Sequence, residues 1–270
     1  MIYYRENLTK VLLFVRLNQS KNYLYPVQKS VDFYFSILYN DYRKLKGENT
    51  MDNRKNYYLT IDTETANGLD DPLCYDIGGV IHDKNGKVYE SFSFVIYEIF
   101  VLCADIMGSA YYAEKIPYYE DDLKEGTRKM VRMETARQYI ENLCRKYNVK
   151  AIIAHNAPFD YRSTSKTMRY ITSSEKRYFL PFGIPLWDTL KMAQDTICQQ
   201  KMYKSFCAEH GYTKKNGAPR ATAEILYQYI SGESDFSESH TGLEDCLIEK
   251  EIFAHCMRQH KKMRKTAFNG

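Results

Sequence analysis

The apolar positions along this chain change their rhythm near residue 57. Tyr57 to Thr63 and Cys74 to His82 are short, mostly apolar runs, and Lys87 to Ile96 alternates apolar with polar residues. These patterns predict three β-strands. Asp83-Lys84-Asn85-Gly86 separates the last two and contains Asn-Gly, a strong tight-turn signal, so they are expected to pair as an antiparallel hairpin. Tyr97 to Ile106 reads as helical, and residues 107–127 form a Tyr- and Glu-rich insertion without clear period. Over Met130 to Tyr147 the period becomes helical, with Met133, Ala136, Ile140 and Leu143 or Cys144 on one face.

Further along, a strand is expected at Lys150–Ala154, a helix from about Asp160 to Thr172, a short strand ending near Asp188, and a helix over Thr189–Cys198. Helices around Tyr203–His210 and Ala221–Ile230 and a final one from about Thr241 to Gln259 complete the series. Three strands, then alternating helices and strands, then helices, describe a mixed α/β sheet covered by helices.

Residues 1–50 read differently. They hold seven tyrosines and two short apolar segments, Val11 to Leu17 and Val31 to Leu38, but no chemistry. Lys46-Gly47-Glu48 can be encoded as a purine-rich ribosome-binding sequence, which makes Met51 a candidate translation start. The expected division is therefore an N-terminal extension over 1–50 and one domain over 51–270.

The chain carries a net charge of +4, but residues 1–50 hold 8 Lys+Arg against 4 Asp+Glu, leaving 30 against 30 in the remainder. Net charge alone thus does not argue for a nucleic-acid partner. The basic run Arg258, Lys261, Lys262, Arg264, Lys265 is able to touch a phosphate backbone, although such a tail is more often a solvated, frayed end. The seven cysteines are scattered, which disfavours zinc and disulfide frameworks and fits a reducing, cytoplasmic setting. Val11 to Val15, the longest apolar run near the N-terminus, falls far short of the roughly 20 residues that cross a bilayer, so no membrane association is expected.

Candidate chemistry lies in three clusters. Asp62-Thr63-Glu64 ends the first strand, where residues i and i+2 share a face and two carboxylates converge. Their repulsion calls for a cation, and hard divalent ions prefer such oxygen ligands. A solvated pair of acids in a turn is the plainer alternative. The run His155-Asn156-Ala157-Pro158-Phe159-Asp160 joins a strand to a helix, where Asp160 could equally be an ordinary cap. In His240-Thr241-Gly242-Leu243-Glu244-Asp245, the histidine and Asp245 meet if the loop before the last helix bends back.

Taken together and in this order, Asp-x-Glu, Asn-x-x-Phe-Asp and His-x-x-x-x-Asp make the chain resemble the DEDDh (DnaQ-like) 3′-5′ exonucleases of the ribonuclease-H-like superfamily over roughly residues 57–258. Trp187-Asp188-Thr189-Leu190 looks like the Asp-Thr that often follows the second motif. The resemblance implies a three-layer fold on a mixed five-stranded sheet. It also implies Asp62, Glu64, Asp160 and Asp245 as ligands of two divalent ions, Mg²⁺ or Mn²⁺, and His240 as general base. Thr65, Ala66, Asn156 and Phe159 fall where the resembling enzymes approach the terminal nucleotide. Single-stranded DNA or RNA 3′ ends are the implied substrate, nucleoside 5′-monophosphates the product, and a polymerase or replication complex a candidate partner. Gly242 replaces a more usual Ala, a small-for-small change expected not to matter. A non-catalytic nucleic-acid-binding module on the same fold is the alternative, and it predicts loss of a carboxylate or of the histidine, none of which is lost.

Overall fold

The computed structural model describes residues 54–173 and 177–268. The expectations for residues 1–50 and the Met51 start lie outside the described residues. Strands β1 (Tyr57–Ala66), β2 (Leu73–Asp83) and β3 (Val88–Ile96) form an antiparallel meander. Gly86, with φ +87°, turns the β2–β3 hairpin, and the Asp83 carboxylate accepts bonds from the backbone N–H groups of Asn85 and Lys87. Three short strands run parallel to their neighbours: β4 (Lys129–Val131) beside β3, β5 (Ile152–Ala154) beside β1, and β6 (Leu186–Asp188) beside β5. The sheet order is β4-β3-β2-β1-β5-β6.

The mixed α/β architecture is as expected, with six strands in place of five. The added strand β4 comes from the N-terminal end of the helix expected from Met130. Met130 and Val131 pair with Val95 and Ile96, and extended Arg132 delays the helix α3 to Met133–Lys146. Upstream, the helix expected over Tyr97–Ile106 is only a turn, α1 (Tyr97–Phe100). The insertion, in turn, contains a helix that its pattern hid, α2 (Ile116–Glu125). Pro117 sits in its first turn, Gly126 ends it at φ +81°, and Tyr119 and Leu123 are its buried face.

Four elements follow the expected order with shifted ends: α4 (Pro158–Ile171), α5 (Thr189–Asp195), α6 (Lys201–Glu209) and α7 (Ala223–Ser231). Helix α5 breaks at Thr196, whose backbone leaves the helical region and whose hydroxyl donates to the Met192 carbonyl. The last helix, α8, is Gly242–Arg258. Beyond it the chain does not fray at once. The Ala267 N–H donates to Leu186 O, Lys265 lies 4.8 Å over the Trp187 ring, and Arg264 pairs with Asp195.

Both faces of β1 are buried, which explains its nearly continuous apolar sequence. Leu59 and Ile61 join a core with α3 and α4, whereas Tyr58 joins a second core with α5, α6, α7 and α8. Asp62 and Glu64 continue the alternation set by Tyr58 and Thr60, so they emerge on the α8 side at the carboxyl end of the strand. β5 and β6 end beside them, and open sheets of this kind bind ligands outside the carboxyl ends of their strands. Among the described residues no helix is long and apolar enough to cross a membrane.

Candidate active site

Asp62 and Glu64 lie opposite Gly78 and Asp76 across the β1–β2 pair, and a register shift directly after Glu64 ends the regular ladder. Such irregularities recur beside functional sites because they re-aim side chains. At Gly78 the sheet has no side chain, and the N-terminus of α8 fills the space. A Cβ built on Gly78 would fall 2.0 Å from the Gly242 carbonyl carbon, and one on Gly242 would fall 2.6 Å from the Gly78 nitrogen. Gly242 therefore matters more than a small-for-small exchange suggests, because an alanine there has no room.

This backbone contact carries Asp245, in the first turn of α8, onto β1. Ligand oxygens of Asp62, Glu64 and Asp245 all lie within 4.8 Å of one another, although the last is 181 residues from Glu64 in sequence. Among the described residues no lysine or arginine forms an ion pair with these three. Asp245 Oδ1 is buried without a hydrogen-bond partner. Burial, reinforced by facing carboxylates, raises all three acids: Asp62 well above the usual range, Glu64 to about 9 and Asp245 to about 8. Unpaired oxygens, mutual repulsion and an all-oxygen donor set together fit hard divalent cations.

Asp160 approaches from α4. It is 2% exposed, accepts a 2.9 Å bond from the Thr63 hydroxyl, and is raised to about 7, mainly by burial. Its place depends on the β5–α4 turn. There Asn156 adopts φ +64°, and its N–H donates to Asp188 Oδ1 at 3.0 Å, the same oxygen that caps α5 through Leu190 N. The Asp188-Thr189 pair thus braces the turn, and Thr189 also bonds the His155 ring at 2.9 Å.

His240 occupies the loop before α8 with φ +54°, and its backbone N–H faces the Asp245 carboxylate. The loop does bend back, but the ring turns elsewhere. It stacks on Tyr112 with centroids 4.0 Å apart and planes 8° from parallel, and Nδ1 stands 3.8 Å from Glu238 Oε2. His240, Glu238 and Glu224 make a second cluster of facing polar atoms. Burial lowers the His240 pKa, disfavouring the charged ring.

A cavity of about 580 Å³ opens between these groups. Its lining includes the acids Asp62, Asp245, Glu238 and Glu249, together with Asn156 and the bases Lys214 and Arg220. Of the remaining residues expected near substrate, Thr65 and Phe159 are half-buried, and Ala66 is wholly within the core.

No family model matches this chain, and no curated protein matches it either. Among solved structures it is similar to a 3′-exonuclease in a study of 3′-end recognition of the histone mRNA stem-loop. That pair is 12% identical, with 88% of this chain and 75% of the other covered and a TM-score of 0.48. It is also similar to exonuclease X in complex with 5′-overhanging duplex DNA, at 17% identity over 75% of this chain and 92% of the other, TM-score 0.37. E. coli exonuclease I in complex with a dT13 oligonucleotide matches at 14% identity over 73% of this chain but only 40% of its own, TM-score 0.42. Likenesses this distant decide nothing about what this chain does.

Several residues that position the site had no signature in the sequence. Asp76 is wholly buried and accepts bonds from the Tyr119 hydroxyl at 2.8 Å and from the Gly242 N–H at 2.9 Å. Arg128 faces it at 3.4 Å while also pairing with Asp122 and Glu244. Through these bonds the insertion clamps β2 to the start of α8. Apart from Arg128 and Asp122, the partners lie 43 to 166 residues apart, a separation that no local period reports.

Proposed function

We propose that the chain is a metal-dependent 3′-5′ exonuclease of the DEDDh type, acting on single-stranded DNA or RNA and releasing nucleoside 5′-monophosphates. The observation that carries this reading is the convergence of Asp62, Glu64 and Asp245 within 4.8 Å of one another, unpaired with any described cation. Asp62, Glu64 and Asp245, with Asp160 beside them, would hold Mg²⁺ or Mn²⁺. When bound, such ions neutralise charge on the scissile phosphate and make water easier to deprotonate.

The chain's own residues supply the rest. His240, whose pKa burial lowers, accepts the proton of the attacking water at a ring nitrogen, while the Tyr112 ring fixes its plane. Lys214 and Arg220, which also line the cavity, offer positive charge to the phosphates upstream of the scissile bond. Asn156 on the cavity wall, with half-buried Thr65 and Phe159, is assigned to the terminal nucleotide, whereas Ala66 is wholly buried in the core and is assigned to packing. Residues 1–50 are assigned no part in the chemistry, and their deletion is expected to preserve it.

The test is digestion of 5′-labelled single-stranded DNA and RNA of equal sequence with Mg²⁺, with Mn²⁺ and with chelator. A metal-dependent ladder shortening from the 3′ end is expected. A folded protein inert on both strands would overturn the reading.

A further inference from the structure

One turn beyond Asp245, helix α8 turns a second carboxylate inward. Glu249 is 3% exposed and lines the same cavity as Asp62 and Asp245. Its Oε2 is buried and has no hydrogen-bond partner among the described residues. Its neighbours three and four residues away on the buried face of α8 are Asp245, Cys246, Ile252 and Phe253, none of them a cation. A carboxylate placed there loses hydration that the His155 backbone N–H, which bonds the group, replaces only in part, since Oε2 stays without a partner.

The charges around Glu249 deepen the deficit. Lys250, next in sequence, pairs with Glu251 instead. After burial, the groups that push the Glu249 carboxyl up are Asp160, Asp245 and Glu238, all acidic. In return, Glu249 heads the carboxylates that raise Asp62, ahead of Asp160, Glu64 and Asp245. Glu249 nevertheless stands outside the compact trio of Asp62, Glu64 and Asp245. Asp62 is thus faced by acids of that trio and, separately, by Glu249 and Asp160.

We propose that Glu249 is a fifth acidic ligand of this centre, sharing a divalent cation with Asp62. The proposal rests on the metal-dependent reading above. It accounts for a buried, inward-facing oxygen, Glu249 Oε2, that has no hydrogen-bond partner among the described residues.

The test is calorimetric titration of the metal-free full chain with MnCl₂, comparing wild type, Glu249→Gln and Glu251→Gln, with the rise in Tm at saturating Mn²⁺ as a second readout. Glu249→Gln keeps the side-chain shape, and it is expected to weaken Mn²⁺ binding by about 10- to 100-fold and to shrink the Mn²⁺-induced rise in Tm. Glu251→Gln removes an equal charge from the same helix and is expected to bind Mn²⁺ as wild type does. Should Glu249→Gln fail to fold, Glu249→Met preserves the volume without the oxygens, and the same loss is expected. Unchanged affinity in the Glu249 variants, or equal weakening by Glu251→Gln, overturns the proposal and leaves the exonuclease reading standing. A wild-type chain that binds no Mn²⁺ overturns both.

Discussion

At Asp62 the physics of a single residue is dominated by what surrounds it: burial and four facing carboxylates all oppose its charge. Replacing it with Asn should therefore relieve repulsion while removing a cation ligand. We expect Asp62→Asn to fold, to lose Mg²⁺-dependent digestion of 5′-labelled oligonucleotide, and to show almost no Mg²⁺-induced rise in Tm. His240 acts differently, because its ring stands with Glu224, Glu238 and Tyr112 rather than in the carboxylate trio. His240→Ala should keep cation binding and slow hydrolysis by about 10²- to 10⁴-fold, read from single-turnover rates.

The same acids set a pH dependence. Unfolded Asp and Glu titrate near 4, whereas the folded carboxyls of Glu64, Asp245, Asp160 and Glu238 are raised to about 9, 8, 7 and 7. Between these limits the folded chain holds protons that the unfolded chain has released. The metal-free protein should therefore be most stable near pH 4 as far as these groups are concerned, and it should lose that contribution as the pH rises towards 9. Thermal denaturation in chelator is expected to give a lower Tm at pH 8 than at pH 5. Mg²⁺ should narrow the difference, since it binds the deprotonated forms.

Among the elements, the contact between β2 and α8 is the most exacting. The Gly78 and Gly242 backbones meet so closely that Gly242→Ala would drive a methyl group to 2.6 Å from a backbone nitrogen. Overpacking of this kind costs about 1–3 kcal/mol, and here it also shifts Asp245 away from β1. Urea denaturation together with activity should show both losses. The insertion acts on the same contact through Arg128, whose replacement by Met would leave Asp76 buried without its cation. A loss of about 3–5 kcal/mol is expected from such a half-broken buried pair.

Over the whole molecule, strand and helix order was legible in the sequence wherever the apolar period was long and unbroken. The β1–β3 meander, α3 and α8 all have such patterns, and their ends shift by only a few residues. Short β4 escaped because three residues are too few to establish a period of two, and its strand character comes from pairing with Phe94–Ile96. Helix α2 was hidden although Pro117 and Gly126 marked its ends, since its tyrosines and acids blur the apolar face. The three acidic motifs, each weak alone, were singled out by their order and by the resemblance it carries, and three of their acids, Asp62, Glu64 and Asp245, come together in the structure. Asp76, Arg128 and Glu249 could not be singled out in this way. A lone acid or base inside a strand, loop or helix carries no local signal, and its meaning depends on which distant backbone reaches it. By itself the sequence determined the mixed α/β class and the order of most elements. Only the tertiary structure decided that His240 rests on Tyr112, that Gly242 must remain without a side chain, and that Glu249 faces Asp62, because burial and like-charge repulsion arise only once distant segments are packed together.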